Sequence, residues 1–233
     1  MTSSVNMSSD LKPIKLYGHW GLNPIKVALA FEELGLPYEI SKVEMADVKG
    51  PDFVAVNPNG RLPAIYDPNT DITLWESAAI LEYIVERYDT SHKLSFEHGS
   101  ADSYHARQWL YFQASGQGPY YGQGFWFKNF ASEKIPLAIE RYVKELNRVS
   151  AVLEGHLARQ KESAGGEGPW LIGNKFSFVD IAWFPWQYMC EPAYTKEEYD
   201  LDTYPHVKDW LDNIVARKTA PKTIVEKFSP RRS

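Results

Sequence analysis

Two short stretches of the sequence combine residue types that could hold a small charged ligand. Residues 57–65 read Asn-Pro-Asn-Gly-Arg-Leu-Pro-Ala-Ile, and residues 74–81 read Leu-Trp-Glu-Ser-Ala-Ala-Ile-Leu. A cis X-Pro bond at Pro63 can be tolerated near a strand start, and backbone turned outward there can pair with an extended peptide. Glu76 and Ser77 open a helix, where a carboxylate and a hydroxyl beside free N–H groups can bind an amino-acid head group. Together the stretches predict a small ligand pocket.

The elements that must position this pocket follow from hydrophobic periodicity and turn residues. Asn23 as N-cap, Pro24 at the first helical position and Gly35 at the end predict a helix over 23–34. We predict strands at 14–17, 38–43, 62–66 and 72–74, a short helix or turn at 51–56, and a helix to Tyr88. This order of strands and helices is thioredoxin-like.

The rest of the sequence shows helical periodicity without a convincing strand pattern. We predict a disordered polar tail over 1–12 and a polar linker over 89–100. Apolar residues between Ile139 and Leu157 predict a long helix ended by the loop 163–169, and Ser177 with Asp180 forms the pattern of a capping box. Pro205 begins another amphipathic helix. The second domain is therefore expected to be all helical.

These motifs resemble the cytosolic glutathione transferase superfamily, and most of all the fungal nitrogen-regulator-like transferases and the bacterial nu-class members. The resemblance extends from about Ile14 to about Arg217. It implies a thioredoxin-like glutathione-binding domain over 13–88, an all-helical domain over 101–233 and a homodimer, with glutathione as co-substrate. The Gly- and aromatic-rich stretch 113–127 resembles the interrupted long helix of the nu-type second domain. There Tyr120, Tyr121 and Trp126 could form the walls of an electrophile pocket or could serve only for packing.

The resemblance also implies roles for individual residues. Asn23 matches the catalytic asparagine, whose amide and helix N-terminus would stabilise the glutathione thiolate; its alternative role is simple helix capping. Glu76 and Ser77 match the residues that hold the γ-glutamyl ammonium and carboxylate, and Leu62 would pair through its backbone with the cysteinyl unit. Further candidates are Lys49 and Arg61 for the glycyl carboxylate and Arg141 as a more distant ligand contact, although each could also be a solvated surface charge.

One departure from the resemblance lies next to the catalytic position. The nu-class relatives carry Thr-Pro-Asn, whereas residues 21–23 are Gly-Leu-Asn here, so a hydroxyl that could also reach the sulfur is absent. The missing hydroxyl weakens the expectation that this chain has the disulfide-reductase activity of those relatives. Tyr17, at the end of the first strand, is the rival donor, with a core aromatic role as its alternative. His19 and Trp20 could line the same cleft.

Composition excludes several function classes. The 233-residue chain is 44% hydrophobic and 24% charged, with a net charge of -5 and no dense Lys/Arg run, which argues against nucleic acid as partner. No apolar run is long enough for a membrane helix and no targeting peptide is evident, so a cytoplasmic location is expected. The single cysteine, Cys190, is expected to be a buried structural thiol, so reactive thiol chemistry would depend on glutathione. No metal-binding spacing occurs, and none is expected.

The sequence thus predicts an enzyme that uses glutathione thiolate on small electrophiles, as in detoxification, or that reduces small disulfides with glutathione. It does not choose between these reactions. Two alternatives belong to other classes: a catalytically weak regulator that binds a protein partner, and a carrier of glutathione conjugates or apolar metabolites.

Overall fold

A computed structural model describes residues 11–163 and 168–219 of the chain. It contains two compact units: the described residues up to Lys93 together with Thr219 form the first, and Leu94–Lys218 forms the second. The predicted polar tail lies outside the described residues except for Leu11 and Lys12, and the predicted loop 163–169 lies partly outside them. Within the described residues, no helix is both long enough and apolar enough to cross a membrane.

The first unit is a four-stranded mixed sheet with helices packed on it. Its elements are β1 (Ile14–Tyr17), α1 (Leu22–Leu34), β2 (Tyr38–Ser41), α2 (Pro51–Val54), β3 (Ala64–Asp67), β4 (Ile72–Trp75) and α3 (Ser77–Tyr88). The strand order is β2-β1-β3-β4, in which β1 is parallel to β2 and antiparallel to β3. Helices α1 and α3 pack against each other and bury their apolar faces. The thioredoxin-like prediction is confirmed.

Among the boundaries that differ from the sequence-based prediction, two have clear physical reasons. Strand β3 begins at Ala64 rather than at residue 62, because Pro63 has no N–H to donate to a strand ladder and its bond to Leu62 is cis. Helix α1 begins at Leu22, so the prediction of Asn23 as N-cap was wrong. Gly21 holds that position with φ 94° and ψ 156°, a conformation that glycine adopts without steric cost.

The second unit is helical throughout its described residues. Its helices are α4 (Ala101–Phe112), α5 (Gly118–Asn129), α6 (Pro136–Ser163), α7 (Phe178–Tyr188), α8 (Cys190–Ala193) and α9 (Pro205–Val215). A π-helical segment, Gln113–Gln117, joins α4 to α5, and a short 3₁₀ turn, Leu201–Thr203, precedes α9. The prediction of an all-helical second domain is confirmed for these residues. The π-helical segment is the interruption that the Gly-rich stretch predicted.

The predicted capping box is present at the start of α7. The Ser177 hydroxyl accepts from the Val179 N–H at 3.3 Å, and the Asp180 carboxylate accepts from the Ser177 N–H at 2.9 Å. Asp180 also accepts from the Trp210 indole at 2.8 Å and the Leu171 N–H at 3.0 Å. Burial raises the pKa of Asp180, and these hydrogen bonds oppose that rise. The box therefore ties α7 to α9 and to the segment before α7 as well as capping its own helix.

A buried polar network decides the role of one aromatic residue in the helical unit. Tyr121 is 2% exposed, and its hydroxyl lies 2.9 Å from Ser150 Oγ and donates to Gln187 Oε1 at 3.1 Å. The side chain of Gln117, in the π-helical segment, also donates to Gln187. Tyr121 thus serves packing and hydrogen bonding rather than a pocket wall. Cys190 is buried as predicted, and burial raises the pKa of its thiol well above the usual range.

Candidate functional site

The sheet register brings three of the predicted segments to the same edge. Tyr17 of β1 is paired with Ala64 of β3, and Ala64 is paired with Trp75 of β4. The chain leaves β1 after Tyr17 toward α1, enters β3 from Leu62 and Pro63, and leaves β4 into Glu76 and Ser77. Because the three paired residues lie side by side, the start of α1, the cis Leu62–Pro63 bond and the start of α3 are neighbours.

Close packing at Gly18 supports the same arrangement. A Cβ atom at this position would lie 3.1 Å from Pro24 Cγ and 3.4 Å from Leu62 Cβ. The turn after β1 therefore runs between the first turn of α1 and the residue before Pro63. Since Gly18 has φ 126°, a side chain here would also be strained. The start of α1 can approach Leu62 this closely only because residue 18 has no side chain.

Glu76 and Ser77 lie at the start of α3 as predicted. Glu76 is the N-cap residue, is exposed, and has φ 71° and ψ 113°, a backbone conformation that non-glycine residues rarely adopt. Such strain costs about 1–3 kcal/mol and occurs preferentially at functional sites. Ser77 is 9% exposed and is the first residue of the helix, where N–H groups lack intrahelical partners. A carboxylate, a hydroxyl and a helix N-terminus thus share one small region.

The loop before Leu62 is fixed by a buried asparagine. Asn57 is 2% exposed; its side-chain amide donates to the Arg61 carbonyl at 2.6 Å, and its Oδ1 accepts from the Asn59 N–H at 2.9 Å. Lys49 Nζ donates to the Asn59 carbonyl at 2.8 Å. The structure therefore places Lys49 against the loop that carries Arg61. Both of these side chains are exposed.

Gly60 is required in this loop for two independent reasons. Its φ is 57°, in the left-handed region, and a Cβ atom would lie 2.7 Å from the Val48 carbonyl oxygen. The segment with Lys49 can pack closely on the loop only because residue 60 has no side chain. The sequence signal for this contact was the Asn-Gly pair, which is typical of tight turns.

Asn23 is the second residue of α1 and is half-buried. The helix has no side-chain cap, so its first N–H groups have no capping side chain from the N-cap residue Gly21. Such a helix start attracts anions through its N–H groups and its partial positive charge. The catalytic role of Asn23 stays a prediction, and its alternative as the N-cap is removed by the structure.

The sequence-based reasoning missed one charged residue at this edge. Lys26, on α1, is only 2% exposed, and its Nζ donates to Ser77 Oγ at 3.5 Å. Burial lowers the pKa of Lys26 to about 7, and the nearby Glu76 carboxylate opposes this change. Its burial could have been predicted from the sequence. Lys26 lies four residues before the buried Ala30, and residues four apart lie on the same face of a helix.

Tyr17, His19 and Trp20 have other contacts. The centroid of the Tyr17 ring lies 6.1 Å from that of the Phe53 ring. Tyr17 also lines a cavity of about 320 Å3 between the end of β2 and α2. His19 Nε2 lies 3.7 Å from Glu44 Oε1. The Trp20 indole donates to the Val43 carbonyl at 3.2 Å. These contacts favour packing for the Tyr17 ring and tie the turn before α1 to the segment after β2.

Arg141 lies on α6 in the helical unit, where its side chain is exposed. It belongs to the second unit, whereas the sheet-edge cluster belongs to the first. Its contact with a ligand stays a prediction.

A thioredoxin-like unit with this sheet-edge cluster, followed along the chain by a helical unit, defines a two-domain glutathione transferase fold. Two family profiles match the chain: the glutathione S-transferase N-terminal domain over residues 12–86 and the C-terminal domain over residues 128–218. The chain therefore belongs to the glutathione S-transferase family.

Relatives and solved structures agree with this assignment. The glutathione S-transferase-like protein gedE of Aspergillus terreus is 56% identical over 223 residues, covering 95% of this chain and 99% of that protein. The transcriptional regulator URE2 of Saccharomyces cerevisiae is 32% identical, covering 87% of this chain and 64% of that protein. The crystal structure of the glutathione transferase URE2P8 from Phanerochaete chrysosporium with oxidized glutathione has a TM-score of 0.84 and 38% identity, covering 94% of this chain and 97% of that chain. The resemblance to nitrogen-regulator-like transferases is confirmed.

Proposed function

We propose that this protein binds glutathione at the sheet edge and transfers its thiolate to a small electrophile. The observation that carries the proposal is the register Tyr17–Ala64–Trp75, which places the start of α1, the cis Leu62–Pro63 bond and the start of α3 side by side. Glutathione is a short peptide with a charged amino-acid head group, an extended backbone and a thiol. Each of the three segments offers what one of those parts requires.

The head group fits the start of α3. The exposed Glu76 carboxylate would pair with the γ-glutamyl ammonium, while the Ser77 hydroxyl and the free N–H groups of the helix would donate to its carboxylate. Leu62 lies outside the β3 ladder, which begins at Ala64, so its backbone groups could pair with the cysteinyl unit. Lys49 and Arg61, which share one loop region, would meet the glycyl carboxylate.

The thiol would then lie at the start of α1, beside Asn23. The thiolate is the nucleophile, so the site must hold sulfur in its deprotonated form near neutral pH. The Asn23 amide and the helix N-terminus would stabilise that negative charge. In the transfer reaction the thiol proton goes to solvent, a sulfur–carbon bond forms, and the leaving group departs with its electron pair.

A second reaction is favoured by the relative that was crystallised with oxidized glutathione. In this version the bound thiolate attacks one sulfur of a small disulfide, and the other sulfur leaves as a thiolate. A second glutathione thiolate then attacks the glutathione sulfur of the mixed disulfide, so that oxidized glutathione forms and the remaining substrate sulfur leaves as a thiolate. No protein cysteine is required, which agrees with the burial of Cys190.

Steady-state turnover with glutathione tests the proposal. The assay compares a chlorinated aromatic electrophile with hydroxyethyl disulfide, and glutathione binding is measured separately by calorimetry. Turnover of the electrophile supports transfer, and dominant disulfide turnover supports the second reaction despite the Gly-Leu-Asn sequence at residues 21–23. Binding without turnover of either substrate would contradict both reactions and favour the regulator or the carrier.

Removing the charge of Glu76 should weaken glutathione binding. We expect Glu76→Gln to raise the Kd by about 10- to 100-fold, because one charge-assisted contact with the ligand ammonium is lost. Calorimetry with S-hexylglutathione measures this change without interference from the thiol. Glu97→Gln, in a surface segment of the other unit, is the control. An unchanged Kd for Glu76→Gln would contradict the placement of the head group.

A further inference from the structure

Lys26 is an unusual residue for the interior of α1. It is among the largest fully buried side chains in the described part of the chain, and its ammonium group is within 3.5 Å of Ser77 Oγ. Burial of an amine disfavours its charged form. The pKa of Lys26 is accordingly lowered to about 7 by burial, with the Glu76 carboxylate acting in the opposite direction. A methionine would fill the same space at lower cost in stability.

The geometry gives this amine a specific effect on Ser77. An ammonium group has donors but no acceptor, so in the Lys26–Ser77 contact the serine oxygen must accept. The hydrogen of the Ser77 hydroxyl is then directed to another partner. Ser77 is at the start of α3, where the ligand carboxylate would be bound, so the hydroxyl is prepared to donate to that carboxylate.

The positive charge of Lys26 would also favour a carboxylate bound at Ser77. The Glu76 carboxylate, directly before α3, contributes to the field that acts on the ammonium. Both β1 and α3 pack against α1. On β1, Lys15 Nζ lies 3.9 Å from Glu39 Oε1, and on α3 the Tyr83 hydroxyl donates to Asp67. A bound carboxylate would bring a second negative charge to the Ser77 side of the ammonium.

We propose that Lys26 is a positioning residue of the glutathione site, whose buried ammonium orients the Ser77 hydroxyl toward the γ-glutamyl carboxylate and adds positive charge behind it. This inference rests on the proposed function. Lys26 acts through Ser77 and contributes to binding of the head group, not to the reactivity of the sulfur.

The first test is binding of S-hexylglutathione, whose thiol is blocked, to the full chain carrying Lys26→Met or Lys26→Arg. At pH 6 we expect Lys26→Met to raise the Kd by about 10- to 100-fold, and Lys26→Arg, which keeps the charge, to restore most of the affinity. The kcat at saturating glutathione should stay near the wild-type value for both variants. Lys15→Met, which removes a half-buried lysine of β1 away from Ser77, is the control.

The pH dependence of wild-type binding provides a second readout, with Lys26→Arg as its reference. Ligand binding should favour charged Lys26, so wild-type affinity should fall by about 10- to 30-fold between pH 6 and pH 8.5, as the pH passes a pKa of about 7. The pH profile of log Kd for Lys26→Arg is subtracted from the wild-type profile. This removes the contribution of the ligand's own amino group, which is the same for both proteins.

The outcomes separate this inference from the proposed function. If Lys26→Met binds S-hexylglutathione like the wild type at pH 6, the role of Lys26 is overturned. The head-group site itself stands in that case, provided that Glu76→Gln still weakens binding. If the wild-type protein binds neither glutathione nor S-hexylglutathione, the proposed function fails, and the role of Lys26 fails with it.

Discussion

Replacing Asn23 by alanine should lower kcat with glutathione by about 100-fold at pH 7, because removing one donor to a developing or stabilised anion has effects of this size. Binding of S-hexylglutathione should change little, since its sulfur carries no negative charge. The pH at which the rate rises should move toward the pKa of a free thiol, about 8.5. Rate profiles between pH 5.5 and 9, measured with the electrophile that the wild type turns over best, check these expectations.

Two further variants sharpen the interpretation of Asn23→Ala. Asn23→Asp has nearly the same shape but removes the donor and adds a negative charge beside the sulfur, so its loss of turnover should exceed that of the alanine variant. Tyr17→Phe removes the rival hydroxyl, and we expect normal turnover because the Tyr17 ring packs with Phe53. Normal turnover of Asn23→Ala together with a large loss in Tyr17→Phe would transfer the role to the tyrosine.

Replacing Lys26 by methionine should stabilise the protein at pH 6 while it weakens glutathione binding. The pKa of Lys26 is about 7 in the folded protein and about 10.4 in an unfolded chain. At pH 6 the buried ammonium is charged, and the corresponding penalty is on the order of 4 kcal/mol in the free energy of unfolding. A buried methionine carries no such penalty, so Lys26→Met should shift the urea midpoint and the Tm upward.

The pH dependence of stability has a definite sign. Between about pH 7 and pH 10 the unfolded chain binds more protons at residue 26 than the folded protein does. Wild-type stability should therefore gain a contribution from residue 26 as pH rises through this window, and Lys26→Met should lack that gain. Lys15→Met controls for loss of a lysine elsewhere on the first unit. Lower stability of Lys26→Met at pH 6 would contradict this prediction and show that the lysine supports the fold.

Opposite effects on stability and binding distinguish a functional residue from a structural one. Substitutions that remove a structural contact are expected to reduce both properties together. A residue retained for function can reduce stability, because active sites commonly hold groups that the fold alone would not favour. Lys26, whose ammonium group contacts Ser77 at the start of α3, and Glu76, the strained N-cap residue of that helix, both have this character.

The sequence alone determined the order of elements and most of the candidate site. Asn-Gly and X-Pro pairs act locally, so residues 57–65 predicted the turn and a place where a cis bond could be tolerated. The pattern Ser177 to Asp180 predicted a capping box because its hydrogen bonds span only one helical turn. Glu76 and Ser77 were placed at the start of α3 by the apolar stripe that follows them.

Only the tertiary structure decided which distant segments meet and which side chains are buried. Residues 57–65 and 74–81 predicted one pocket, but the register of β1, β3 and β4 is set by packing of the whole sheet. The sequence therefore could not show that Tyr17, Ala64 and Trp75 are paired at its edge. The role of Tyr121 stayed open and Lys26 was missed, because helical periodicity gives a face and not its partners. The environment of Lys26 depends on Ser77, which lies 51 residues away in the chain, and contacts of that range leave no local pattern in a single sequence.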